Sequence, residues 1–98
     1  MDEEEAALVA DVDRRATDYL RGIEQRRVYP DQRALDGLGR FEELLPDRGR
    51  PGAETLALLD DAGIPATIAT NGPRYFGFVV GAALPVAAAA ERLMLAWD

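Results

Sequence analysis

The sequence predicts a mostly α-helical chain, with about four helices and one extended passage near residues 64–80. Three observations lead there. Apolar residues recur at three-four spacing through the first quarter of the chain. A proline followed by an alanine-rich run closes the sequence. Between them, glycine and proline cut the chain into pieces too short for long regular elements.

The first helix is expected from residue 4 to about residue 25, with Val9, Val12, Ala16, Tyr19, Leu20 and Ile23 on one face. The acidic run Asp2 to Glu5 sits at its start, where negative charge suits the helix dipole. Tyr29-Pro30 then forces an extended exit, because a residue before proline avoids the helical region. A second, shorter helix is expected over Leu35 to Leu45, placing Leu38, Phe41, Leu44 and Leu45 on one side; Gly37 and Gly39 weaken it and Pro46 ends it. The third is expected from Ala53 to Ala62 with Leu56 and Leu59 inward, a left-handed Gly63 cap and a Pro65 stop. Ala66 to Thr70 reads as extended. Pro85 suits the first turn of a fourth helix, Val86 to Trp97. That helix is apolar almost all round, with only Glu91 and Arg92 solvated, so burial by neighbours is expected.

Composition narrows the chemistry. The chain has 98 residues, enough for one domain, and 48% hydrophobic with 30% charged residues is a folding rather than a disordered composition. A net charge of -7 argues against nucleic acid and against an anionic membrane surface as partners. All eleven cationic side chains are arginine; Lys, His, Cys and Ser are absent. Neither a Ser-His nor a Cys-His nucleophile pair can be built, nor a lysine imine, nor a histidine or thiolate metal site. No metal site is expected, no catalytic residue is assigned, and the chain by itself is expected to be inactive. Its acidic N-terminus is unlike a secretory signal, so a cytoplasmic location is expected.

The stretch from Asn71 to Gly81 invites three readings. Tyr75 to Val80 reads as a core strand on its apolar run. Membrane insertion is disfavoured: the uncharged run from Phe76 to Ala90 falls short of the ~20 residues a span needs, and Gly77, Gly81 and Pro85 interrupt it. The third reading is a ligand-pocket wall. Asn71-Gly72-Pro73 makes a turn, Arg74 offers a fork of donors for a carboxylate or an ion pair, and Tyr75, Phe76, Phe78, Val79, Val80 and Gly81 supply flat apolar surface and close backbone approach.

The segment Gly72 to Asp98, GPRYFGFVVGAALPVAAAAERLMLAWD, resembles the N-terminal part of the pyridoxal-phosphate-dependent group II amino-acid decarboxylases, which include the aromatic-L-amino-acid and glutamate decarboxylases. The shared pattern is Pro-Arg-aromatic-Phe-Gly, a small-residue run with Leu-Pro, and an alanine-rich helix ending near Ala-Trp-Asp; Arg27-Val28 with Pro30, Phe41, Leu45-Pro46 and Gly63-Ile64-Pro65 follow in the same order upstream. The resemblance implies an α/β parent of fold type I that acts as a homodimer, binds pyridoxal phosphate and removes the carboxylate of a small amino-acid substrate. Residues 1–98 would be its N-terminal helical segment, with the start of the large cofactor domain at about residues 84–98 and the catalytic domain absent. Residues Tyr75 to Gly81 would then wall the substrate side of the pocket, with no catalytic or cofactor-binding residue in this chain. The uncapped helix ending at Trp97-Asp98 fits the same expectation of a fragment. The alternative is a free-standing helical interaction module that dimerises through its first and fourth helices.

Overall fold

The computed structural model describes residues 1–98 as helices and turns without a β-strand. Helix α1 spans Glu3–Gly22 and starts on a reciprocal cap. Asp2 Oδ1 accepts from the Glu5 amide at 2.9 Å, while the Asp2 amide donates to Glu5 Oε2 at 2.8 Å. Two of the amides that a helix start leaves unpartnered are thereby satisfied. The helix ends about three residues earlier than its periodicity suggests. At and after Gly22 the ladder tightens: the amides of Ile23, Gln25 and Arg26 bond three residues back, to the carbonyls of Leu20, Gly22 and Ile23.

The inward strip of α1 is also rotated from the expected face. Leu8, Val9, Tyr19 and Ile23 are half-buried, but so are Asp11 and Arg15, whereas Ala16 and Leu20 face solvent. A polar bridge explains the rotation. Arg15 Nε donates to Asp11 Oδ2 at 2.8 Å and its Nη1 reaches Asp60 Oδ2 at 2.5 Å, tying α1 to the segment after the third helix. A salt bridge between half-buried side chains is retained here at a site where apolar contact alone was expected.

The second helix departs from expectation in both register and type. Helix α2 covers Gln32–Asp36, beginning where Asp31 accepts from the Ala34 amide at 2.9 Å. A 3-10 turn over Gly37–Phe41 continues it. Two glycines favour the tighter turn over a full α-helix, and Leu45, which precedes Pro46, is kept out of the helical region. Leu44 and Leu45 are consequently solvent-exposed rather than part of an apolar side.

Helix α3, Gly52–Leu58, is followed by a wide π turn over Leu59–Gly63 and a 3-10 turn over Ile64–Ala66. Gly63 is not the left-handed cap the sequence suggests: its φ is -80°. Pro65 does not stop the helix at once either, but occupies the 3-10 turn, and the chain becomes extended only at Thr67. The reason lies in the proline ring. In a continuing α-helix it would meet the carbonyl of Asp61, and widening the ladder before it relieves that clash. Widening turns Leu59 outward, and Leu58 joins Leu56 on the half-buried side. Residues 64–80 thus open on a 3-10 turn and carry two more turns, over residues 70–74 and 77–79, in place of a continuous extended passage.

Helix α4 runs Pro85–Trp97 with Pro85 in its first turn, as the sequence indicates. Its expected burial does not occur within the chain. None of its residues is buried, and Val86, Leu95 and Trp97 are each about three-quarters exposed. Its side-chain tie to α1 is the ion pair from Arg92 Nε to Asp13 Oδ1 at 3.1 Å.

Only Ala62 and Ala69 are buried, at 4% and 1% exposure. The accessible surface is 8114 Å², against about 5,500 Å² for a compact protein of this mass. The radius of gyration, 15.7 Å, likewise exceeds the ~13 Å of a compact domain of this length. Helices α1 to α3 form a thin, open body, and α4 stands against it almost uncovered. No helix is long and apolar enough to cross a membrane.

Two outcomes follow for the bridge. Replacing Arg15 with Gln lowers the thermal midpoint more than replacing Arg14 with Gln, since Arg14 bonds only to Asp11 and Asp18 on its own helix; circular dichroism melting compares the two. The Arg15 and Arg14 guanidiniums hold the Asp11 carboxyl below its ordinary range. The folded state therefore keeps Asp11 ionised more tightly than the unfolded state does. Its stabilising effect is complete above the ordinary aspartate range near pH ~4 and is lost as pH falls through the lowered value. Acid melting curves of the native chain show this loss, and those of Asp11→Asn lack it.

Candidate functional site

Within the stretch from Asn71 to Gly81 the turn forms as its sequence suggests. The Gly72 amide donates to the Ala69 carbonyl at 3.1 Å, and the Tyr75 amide closes back on Gly72 at 3.5 Å. This turn lies against the end of α1, where a Cβ on Gly72 would come 3.2 Å from Ile23 Cγ1. Arg74 folds back as well. Its guanidinium donates to the main-chain carbonyl of Arg26, so its observed acceptor is backbone rather than a carboxylate. The Tyr75 ring packs edge-on to Tyr29, with centroids 6.3 Å apart and planes at 61°.

Beyond Tyr75 the segment leaves the body. Phe76 and Phe78 are 93% and 95% exposed, Val79 fully so, and nothing approaches the Cβ position of Gly81. Phe78 and Val79 both have φ of 54°, the left-handed region that side chains with a Cβ avoid. The expected wall therefore divides. Arg74 and Tyr75 are held on the body, while Phe76, Phe78, Val79, Val80 and Gly81 form a protruding turn, apart from the two concavities described below. Gly77 joins the two parts by allowing close approach: a Cβ there would sit 2.5 Å from Tyr75 Oη.

The chain carries no lysine that could form an imine with pyridoxal phosphate. No group of three or more acidic side chains converges in a way that could hold a metal ion.

A sizeable concavity lies elsewhere. Between the Arg26–Pro30 turn, α2 and the Asp61–Pro65 segment is a cleft of about 670 Å³. Arg26, Arg27, Arg33 and Arg40 line it, with Asp31 and Asp61 as its acids and Tyr29, Ala62 and Pro65 among its less polar parts. The bend at residues 28–29 ahead of Pro30 leads into α2, and Arg33 and Arg40 share a hollow with Arg26 and Arg27. Asp31 Oδ1 caps α2, and Asp61 lies 3.9 Å from Arg15 Nη1. Arg27 Nε donates to the Tyr29 carbonyl at 3.0 Å. Arg33 and Arg40 make no side-chain hydrogen bond or ion pair. Sequence reasoning missed this cleft, although its signal was present as four arginines within fifteen residues of an acidic chain. A smaller apolar groove of about 220 Å³ lies between α1, α3 and α4, lined by Leu8, Val9, Val12, Leu56 and Arg92.

Substituting Gly77 with Ala displaces the Tyr75 ring from Tyr29 and destabilises the fold by about 1 kcal/mol, the worth of an aromatic pair. Loss of the ring-to-ring nuclear Overhauser contacts reports the displacement directly. Comparison with protein-family models, with curated proteins and with solved structures gives no significant match to this chain.

Proposed function

We propose that this chain is a docking segment of a cytoplasmic pyridoxal-phosphate-dependent amino-acid decarboxylase, contributing dimer contacts and part of a substrate-pocket wall while supplying no catalytic group. One observation supports this above the rest. Within the stretch that resembles the decarboxylases, every residue from Phe78 to Asp98 is exposed. Phe76, Phe78, Val79, Leu84, Val86, Leu95 and Trp97 present apolar surface that a folded body elsewhere has to bury. Surface beyond that of a compact protein, nearly half again on this one chain, matches one side of a large obligate interface, such interfaces covering roughly 2,000–5,000 Å² over both partners. In such an enzyme pyridoxal phosphate would supply the electron sink for loss of the carboxylate. The part of this chain is then to exclude water and shape the site with Phe76, Phe78, Val79 and Val80.

The groove between α1 and α4 favours a second reading, a self-contained dimerisation module in which a second copy covers α4.

The two readings separate on purified protein. On the first, the 98-residue chain self-associates without reaching a discrete stoichiometry, and Leu93→Glu combined with Leu95→Glu restores a monomer. On the second, it sediments as a defined dimer and melts in one cooperative transition. The enzyme reading further requires that the polypeptide carrying this segment release carbon dioxide from an aromatic or acidic amino acid only with pyridoxal phosphate present. There Phe76→Asp lowers kcat/KM about tenfold or more, as expected from losing one buried aromatic wall. Absence of cofactor-dependent carbon dioxide release sinks the decarboxylase reading.

A further inference from the structure

Four of the eleven arginines of an acidic chain meet at one concavity. We infer that the cleft between the Arg26–Pro30 turn, α2 and the Asp61–Pro65 segment binds a small, multiply charged phosphate-bearing anion. The inference rests on the cleft alone and is independent of the decarboxylase reading.

Charge is the first support. Lining arginines outnumber lining acids two to one, in a molecule whose overall balance is -7. Asp31 spends Oδ1 on the α2 cap, and Asp61 stands 3.9 Å from Arg15 Nη1. Arg33 and Arg40 have no acceptor in the protein, and Arg26 Nε is buried without one. A guanidinium is always charged and offers its donors as a fixed fork that fits phosphate oxygens two at a time.

Shape is the second. A volume of about 670 Å³ falls within the ~300–1,000 Å³ typical of small-molecule sites. Arg33 in α2 and Arg40 in the 3-10 turn that continues it stand seven residues apart, roughly 12 Å along the helical path. Two unpaired forks lining one hollow are best met by a ligand with more than one anionic group, which a lone carboxylate is not. Ala62 and Pro65 supply apolar floor for the rest of the ligand, and the exposed Tyr29 ring stands at the edge.

The test is calorimetric titration of the full 98-residue chain with inorganic pyrophosphate, at low and at physiological ionic strength. Saturable one-to-one binding is expected. Arg33→Gln with Arg40→Gln weakens it about tenfold or more, the worth of a charged hydrogen bond at each position. Arg21→Gln with Arg48→Gln, which changes net charge equally outside the cleft, leaves affinity within about twofold. Asp61→Asn removes a like charge from the rim and tightens binding about two- to fivefold. That gain also decides the matter if the double arginine variant loses helix content by circular dichroism, because misfolding does not improve affinity. Absence of saturable binding, equal loss in the Arg21 and Arg48 variant, or no tightening in Asp61→Asn overturns the proposal. Citrate binding as tightly as pyrophosphate overturns its phosphate class. Because α4 is no part of the cleft, Leu93→Glu with Leu95→Glu abolishes self-association and leaves pyrophosphate binding intact, so the two proposals fail separately.

Discussion

Arg26 joins three segments that share almost no hydrophobic core. Its guanidinium carbon lies 4.9 Å from the centre of the Tyr19 ring on α1, a geometry worth about 0.5–2 kcal/mol. The same side chain donates to the Ile64 carbonyl at the far end of the π turn. Thr67 reinforces that acceptor through its hydroxyl at 2.7 Å and its amide at 3.0 Å. The main-chain carbonyl of Arg26 in turn accepts from Arg74. Helix α1, the Ile64–Thr67 turn and the Asn71–Tyr75 turn are thus positioned by one residue, and the Ala69 amide bond to Val28 at 2.9 Å lies inside the frame it sets. With two alanines as the whole buried interior, the body depends on such polar ties far more than a domain of this length usually does.

That dependence explains which parts of the fold were legible in the sequence. Features set by neighbours in the chain could be read directly. The acidic start of α1 matured into a capping box, and Pro85 opened α4 as proline at a first helical turn does. Features set by long-range polar ties could not. Asp11 and Arg15 lie outside the apolar face that the periodicity marks, and Arg15 is tied inward by Asp60, forty-five residues on. Gly63 and Pro65 carried the usual stop signal of a helix. The chain instead accommodated Pro65 through a widened turn, which a single-residue rule does not contain. The arginine cleft escaped notice for a related reason. Its residues form no periodic pattern, and they meet where the chain bends ahead of Pro30.

The absence of lysine and histidine gives the electrostatics an unusual constancy. Every cation except the N-terminal amine is a guanidinium, which stays protonated across the whole physiological range. The cleft thus keeps its charge where a lysine or histidine site would begin to lose it. The same holds for the Arg92 tie to Asp13, the ion pair that steadies α4 against α1. An apolar helix held mainly by one exposed ion pair is weakly held, since pairs of this kind contribute ~0–1 kcal/mol.

The protruding turn at Phe78 and Val79 has a thermodynamic consequence of its own. Each of these residues sits in a backbone region that costs an L-amino acid roughly 1–2 kcal/mol, and neither is offset by packing, since both side chains stand in solvent. A neighbouring surface that draws the two residues into extended geometry releases that strain. The release adds to the free energy of association although it belongs to no contact across the interface. Any association that extended this turn would therefore draw part of its free energy from the unbound backbone.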